Sequence, residues 1–483
     1  MKVLFLEMPS REKNSAPPYG VLYAAGAVMR SGYEAKIVDY CNKALSDVSL
    51  AREVDGYRPD IIAFGGITSS YRNLKNSAEF LKGRYPEIPL IAGGVISSID
   101  ELLLKRAKID LVVLGEGESI IPLLLRHYNG ELAIDNVPGI AYLEGFDIRR
   151  TPAQAQVAAL DDIPVPPYEL LDMEKYLYPS KDWIEHYYRF NDSQKSEIVR
   201  KMEKTPYMLA IMTSRGCTHR CIFCYRHMKG IRQHSVPYVI EHMKFLKKKY
   251  GVGLFQFCDE LTTANRKWIF DLCDAIEREA LDINFIVLSA RVDTVDEEML
   301  RRLKKAGCVM LNYGFESGSD IILKEIRKGV TREDNLRAAR LVKKAGIKNV
   351  PEIMIGFPSE TDETIADTIS FLKDVSQYPF SVNYVLPFPK TPLWDYCIEK
   401  GMIKDEEEFI LNYGEAAHFS INLTGLPDKK VKSWWTRVMH QTMRHMYLKN
   451  KDINGLAKIE AWAFLRRSGL WRYAKLLRGA GKK

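Results

Sequence analysis

Three cysteines define the chemistry open to this chain. In Ser-Arg-Gly-Cys-Thr-His-Arg-Cys-Ile-Phe-Cys-Tyr, residues 214–225, the thiols of Cys217, Cys221 and Cys224 form a CxxxCxxC array. Soft sulfur ligands select zinc, copper(I) or iron-sulfur clusters, and tight cysteine runs are a usual way of holding such clusters. Three ligands rather than four leave one metal position open, the property that separates catalytic from structural zinc sites. A structural zinc completed by His219 or His227 is the competing reading, although its usual spacing includes a second ligand pair and none lies nearby.

The elements that must position these thiols can be traced on either side of them. Strand-like runs fall near 207–213, 253–258, 283–289, 308–315, 350–356 and 381–386, separated by amphipathic helical segments. Repeated strand-helix units of this length predict a (β/α) barrel or part of one, with its site at the carboxyl ends of the strands. Those ends carry Cys258-Asp259-Glu260, Ser289-Ala-Arg291, Phe315-Glu316-Ser317, Gly356-Phe357-Pro358 and the turn 387–392. Cys258, Cys273, Cys308 and Cys397 read as buried thiols, with Cys258, beside the acidic pair, the one to test as a proton or hydrogen donor.

Residues 1–150 form a separate unit. Strands at 2–7, 35–39, 61–65, 90–93 and 111–115 alternate with helices at 71–84, 99–107 and 118–127, which predicts a parallel sheet covered on both faces, Rossmann-like or flavodoxin-like. Three strand ends carry small residues: Gly65-Gly66 with Thr68 and Ser69, Gly93-Gly94 with Ser97, and Gly115-Glu116-Gly117-Glu118. Each is a turn or a binding loop, and ligands of open parallel sheets bind at such ends.

At the cysteine array, with Tyr225 beside its last member, the chain resembles the radical S-adenosylmethionine (radical SAM) enzymes, and its front resembles the cobalamin-binding domain of one large subfamily. The resemblance implies a four-iron four-sulfur cluster on Cys217, Cys221 and Cys224, with S-adenosylmethionine on the free iron. One electron then releases a 5′-deoxyadenosyl radical that abstracts hydrogen from unactivated carbon. It implies Asp259 or Glu260 at the amino group, Arg291 at the carboxylate, Glu316 and Ser317 near the ribose and methionyl groups, and Gly356, Phe357 and Pro358 flanking the adenine. Cobalamin is expected on Gly65, Gly66, Thr68, Ser69, Gly93, Gly94, Ser97, Gly115, Glu116, Gly117 and Glu118. Its cobalt would have no histidine from this domain below it, because none precedes His127. Methyl transfer from methylcobalamin to carbon of a small-molecule or lipid-like substrate is the activity implied, with a flavodoxin or ferredoxin as one-electron donor. The rivals are an oxidative cyclase of the same architecture and, in another class, a metal-binding adaptor.

Residues 151–205 read as a proline-punctuated linker ending in an aromatic run, 182–190, that is a lid or interdomain packing, and residues 396–483 as a helical C-terminal domain. The net charge of +8 is uneven. Residues 429–483 hold fifteen Lys/Arg against Asp452 and Glu460, so this tail carries +13 and the rest −5. Trp434, Trp435, Trp462, Phe464, Leu465, Leu470, Trp471, Tyr473 and Leu477 lie among these cations. Such a segment either docks on the barrel with solvated charges or contacts an anionic membrane; its spacing matches no nucleic-acid-binding module. No run is long enough to cross a bilayer, and eight cysteines without a framework pattern point to a reducing cytoplasm.

Overall fold

The first strand, β1 (Lys2–Glu7), is buried at Val3, Leu4, Phe5 and Leu6, on both of its faces, as a parallel strand between two helical layers must be. The computed structural model describes residues 1–10, 16–187, 205–226, 228–377, 379–414 and 416–468. β2 (Glu34–Asp39), β3 (Ile61–Gly65), β4 (Leu90–Ala92) and β5 (Leu111–Val113) complete a parallel sheet of order β2-β1-β3-β4-β5. This is the flavodoxin-like order, and its reversal beside β1 opens a crevice at the carboxyl ends of β1 and β3. Two antiparallel strands, β6 (Ile140–Glu144) and β7 (Asp147–Arg150), extend the edge. The sequence reading missed them because they are short, largely polar on their exposed side and joined by a two-residue turn at Gly145 and Phe146.

The second sheet runs β16-β15-β14-β13-β12-β9-β8. Six of its strands are parallel: β9 (Tyr207–Ile211), β12 (Val252–Phe257), β13 (Asn284–Ala290), β14 (Cys308–Glu316), β15 (Glu352–Ile355) and β16 (Ser381–Tyr384). The end strands do not pair with each other, so the barrel is partial. β8 (Tyr178–Pro179) pairs antiparallel with β9, which takes the end of the expected linker into the barrel sheet. A ribbon of β10 (Ser214–Arg215) and β11 (Arg232–Gln233) brackets the cysteine loop.

The aromatic run is packing where the structure describes it: Trp183 and Ile184 sit in one cluster with Leu254, Ile286 and Val309. Its end at Phe190 and the charged segment to Lys204 lie outside the described residues. The C-terminal region docks on both domains. Glu407 accepts from Tyr71 Oη at 2.9 Å and Lys75 Nζ at 2.7 Å. On the Asp428–Lys449 helix, buried Trp434 donates to Asp362 and Trp435 to the Val382 carbonyl, both toward the barrel. Trp462, on the following Ile453–Arg467 helix, packs on Trp435 with ring centroids 5.9 Å apart. Leu470, Trp471, Tyr473 and Leu477 lie outside the described residues. Among the described residues no helix is long and apolar enough to cross a membrane.

Candidate active site

The cysteine loop leaves β9 under restraint. Asp259, fully buried after β12, accepts from the Thr213 amide at 2.6 Å, the Thr213 hydroxyl at 2.5 Å and the Ser214 amide at 2.8 Å. Gly216 follows at φ +89°, and a Cβ there would run into the Gly230 carbonyl, so only glycine fits. Downstream, the Ile222 amide donates to the Ile326 carbonyl at 3.1 Å and the Leu393 amide to Ile222 at 3.0 Å. Cys221 and Cys224 share a hydrogen bond that pulls the Cys221 thiol down to about 6 and pushes Cys224 up; Lys328 and Arg291 reinforce the Cys221 thiolate. Among the described residues the thiols are not gathered into a three-residue metal-holding group; His227, one candidate fourth ligand, lies outside them. Tyr225 stacks on Phe388, ring centroids 4.9 Å apart, and its hydroxyl bonds Ser97 of the first domain.

The strand ends sort the expected residues into those free for a ligand and those committed to the scaffold. The Asp259 carboxylate is saturated by its loop donors, whereas Glu260 is exposed at the cavity and takes only the Gly216 amide, with burial of its carboxyl raising its pKa. Arg291 grips Asp293 through Nε and Nη2, both at 3.0 Å, and donates from Nη2 to the Lys328 carbonyl at 2.6 Å. Glu316, at φ +61°, pairs with Lys328 Nζ at 2.7 Å, and both side chains are only 10% exposed. The Ser317 hydroxyl, by contrast, is used internally, 3.1 Å from Thr368 Oγ1 and accepting from the Ser319 amide. The turn of Gly356, Phe357 and Pro358 is held by Glu360, whose Oε2 accepts from the Gly356 amide at 2.6 Å and the Phe357 amide at 3.3 Å; burial pushes that carboxyl up to about 8. Phe357 packs on Phe223 of the cysteine loop at 5.9 Å.

In the first domain a cavity of about 410 Å³ enters between the sheet and the Tyr19–Arg30 and Gly117–Tyr128 helices. Its shaft is apolar, with Val3, Phe5, Ile61, Ile91, Val113 and Leu124; its mouth is formed by Gly65, Gly66, Gly93, Gly94, Gly115 and Gly117, and it faces Ser214, Gly216, Cys258 and Glu260 of the barrel. A Cβ at Gly65 would collide with Val21 and with Glu7. Glu7 lines the cavity, and burial, then Asp39, pushes its carboxyl up to about 8. Cys258 Sγ donates to the Ile211 carbonyl at 3.2 Å, and burial pushes its thiol up to about 12. Not all of the expected corrin residues reach this space. Thr68, Ser69 and Ser97 are not among its lining, Thr68 Oγ1 lying 3.4 Å from Ser98 Oγ. Glu116 and Glu118 line it, yet their carboxylates are committed to ion pairs with Arg215 and Arg232.

Lys328, Arg232, Glu7 and Glu360 went unrecognised in the sequence. Only Arg215 carried a usable signal, its place two residues before the first cysteine. The donor set of three soft sulfurs fits a cluster, and the apolar shaft, with a mouth at which Gly65 has no room for a Cβ, fits a flat macrocycle with a long tail. No histidine lines that cavity among the described residues.

Two family models match the chain: one described as the Radical SAM superfamily, over residues 211–372, and one described as the B12 binding domain, over residues 12–125. A protein of Pyrococcus horikoshii named as an uncharacterised methyltransferase is 30% identical over 83% of this chain and 84% of its own length. The anaerobic magnesium-protoporphyrin IX monomethyl ester cyclase of Rubrivivax gelatinosus is 27% identical over 85% of this chain and 72% of its own. Among solved structures, the radical S-adenosylmethionine methyltransferase TsrM of Kitasatospora setae, with cobalamin and a four-iron four-sulfur cluster bound, superposes with a TM-score of 0.66. It covers 83% of this chain and 78% of that one at 19% identity.

Proposed function

The chain belongs to the radical SAM enzymes that carry a B12-binding domain, and from that premise we propose that it transfers a methyl group to an unactivated carbon of a small-molecule or lipid-like substrate. The observation that carries the reading is one continuous cleft, in which the glycine mouth of the first domain opens directly onto Ser214, Gly216 and Glu260 beside the cysteine loop. When bound, the reduced cluster with S-adenosylmethionine supplies hydrogen abstraction and cobalamin supplies the methyl group.

The chain's own residues then bind, orient and exclude. Cys217, Cys221 and Cys224 hold the cluster, and Asp259 fixes the loop they stand on. Glu260 accepts from the ammonium of S-adenosylmethionine. Arg291, braced by Asp293, offers Nη1 to its carboxylate, and the Glu316–Lys328 pair borders the ribose. The Gly356–Pro358 turn, set by Glu360, backs the adenine. Tyr225 stacked on Phe388 closes the barrel side against water, which matters because a water-free, preorganised site protects a reactive intermediate. A flavodoxin or ferredoxin delivers the electron. The cyclase of Rubrivivax gelatinosus, at similar coverage, favours a second reading in which the same site oxidises without methylating.

Anaerobic turnover separates the two. Methylation yields S-adenosylhomocysteine and 5′-deoxyadenosine together with a substrate mass gain of one methylene; formation of 5′-deoxyadenosine alone, with an oxidised product, would overturn the methyltransferase reading.

A further inference from the structure

Four charged side chains bridge the two sheets almost out of solvent. Glu116 comes from the loop after β5, Glu118 from the first turn of the Gly117–Tyr128 helix, Arg215 from β10 and Arg232 from β11. Arg215 divides its guanidinium between the two acids, Nη1 to Glu116 Oε1 at 2.9 Å and Nη2 to Glu118 Oε1 at 2.6 Å. Arg232 grips Glu116 from the other side, with Nη1 to Oε2 at 2.9 Å and Nη2 to Oε1 at 3.0 Å. The Val157 amide also donates to Glu116 Oε2 at 2.8 Å, and Arg232 Nη1 donates back to the Val157 carbonyl at 2.6 Å. Glu116 is 2% exposed as a side chain, Arg215 10% and Arg232 14%.

Stability alone does not call for this arrangement. Apolar residues of similar volume pack as well or better than a buried ion pair, because four charges must first lose their water. Planar forks supply what apolar packing does not: a fixed direction and register between the groups they join. The groups joined are specific ones. Glu116 and Glu118 stand at the mouth of the first-domain cavity, and Arg215 precedes Cys217 by two residues, with only Gly216 between them.

We propose that Glu116, held between Arg215 and Arg232, is a positioning residue that fixes the span between the corrin cavity and the cluster loop. The inference rests on the cofactor reading above and deepens it: Glu116 touches neither reacting atoms nor thiols, and acts by holding one cofactor's cradle against the other's. Weakening it leaves each cradle intact and lets their separation vary.

The test uses reconstituted holoprotein, with iron, sulfide and corrin content measured first. Electron paramagnetic resonance then reads microwave-power saturation of the cob(II)alamin signal with the cluster reduced and with it oxidised, because a nearby paramagnet speeds relaxation steeply with proximity. In the unaltered protein, reduction of the cluster should raise the half-saturating power. Glu116→Gln should retain iron and corrin at unaltered levels while that rise shrinks several-fold or spreads into a distribution. Glu116→Asp, which keeps the charge, should restore part of it. An unchanged rise in Glu116→Gln would overturn the proposal. Should that variant fail to fold, Arg232→Lys, which keeps the charge but loses the fork, carries the same two outcomes. Unaltered protein that holds no corrin or no cluster would remove the cofactor reading, and the proposal with it, by a result distinct from an unchanged rise.

Discussion

The acidic pair after β12 makes opposite predictions for two neighbouring residues. Asp259 accepts three hydrogen bonds from Thr213 and Ser214, so Asp259→Asn keeps its oxygen on the two amides, turns its NH₂ toward the Thr213 hydroxyl and removes the charge from all three bonds. Hydrogen bonds to a charged group contribute about 1.5–3 kcal/mol each against about 0.5–1.5 kcal/mol for neutral ones, so a loss of roughly 3 kcal/mol in stability over the three bonds is expected. The loop that carries Cys217 loosens with it, and iron retention falls. Glu260→Gln touches only the Gly216 amide and leaves stability unchanged. It removes a charge from the ammonium contact, which at about 1.5–3 kcal/mol weakens S-adenosylmethionine binding roughly 10- to 100-fold. The assay is equilibrium binding of S-adenosylmethionine to unreduced, reconstituted protein, alongside urea unfolding of the apoprotein. If Asp259→Asn weakens binding at unchanged stability while Glu260→Gln binds normally, the division of labour argued here is wrong.

Other expectations follow from the same geometry. Gly216→Ala places a Cβ against the Gly230 carbonyl at a φ that costs about 1–3 kcal/mol for other residues; the protein should fold but lose most of its reconstituted iron, measured colorimetrically. Gly65→Ala should abolish corrin retention, read from the corrin absorbance, while leaving iron content alone, because its Cβ strikes Val21 and Glu7 within the shaft. Glu7 and Glu360 should make apoprotein stability fall as pH rises from 6 to 8, against an opposite contribution from the Cys221 thiol, whose folded value is about 6 against 9 normally. Glu7 and Glu360 each titrate near 8 when folded against 4.5 normally, so the folded state holds protons that the unfolded state has released, at roughly 2 kcal/mol per group across that interval. Glu360→Gln should remove roughly 2 kcal/mol of pH-dependent loss between pH 6 and 8, and an unaltered profile would show that Glu360 is ionised.

Most of the architecture was legible because it rests on patterning. Most of the six parallel barrel strands and the five of the first domain centre on apolar runs bounded by turn residues, β2 and β16 being the most broken by polar residues, and their bounds fall within a few residues of the reading. β6 and β7 lacked such a run. The cysteine loop was legible because three like ligands at fixed spacing are rare by chance. The roles of individual polar residues were far less so: Glu116 at a glycine-rich strand end has the same sequence signature whether it meets a ligand or an arginine from another domain. Arg232 lies 116 residues away, and no local pattern reports that distance. Ser317 failed for the same reason, its partner Thr368 being on a helix 51 residues later.

The charge balance around the cysteine loop links these assignments. Arg291 is paired with Asp293 at 3.0 Å and Lys328 with Glu316 at 2.7 Å, and both cations also favour the Cys221 thiolate. Glu260 is the acid beside the loop that no cation engages among the described residues. S-adenosylmethionine carries an ammonium, a carboxylate and a sulfonium, one positive charge in excess. A carboxylate that lines the cavity and has no cation partner of its own is complementary to that excess. Asp259 is not available for that contact, because its oxygens are taken by three loop donors. The same bookkeeping closes the interdomain cluster, where Glu116 and Glu118 meet Arg215 and Arg232 with no charge left over. That neutral clasp offers a ligand nothing, as a part that only holds others in place should, whereas the cysteine loop keeps one charge open to a cationic guest.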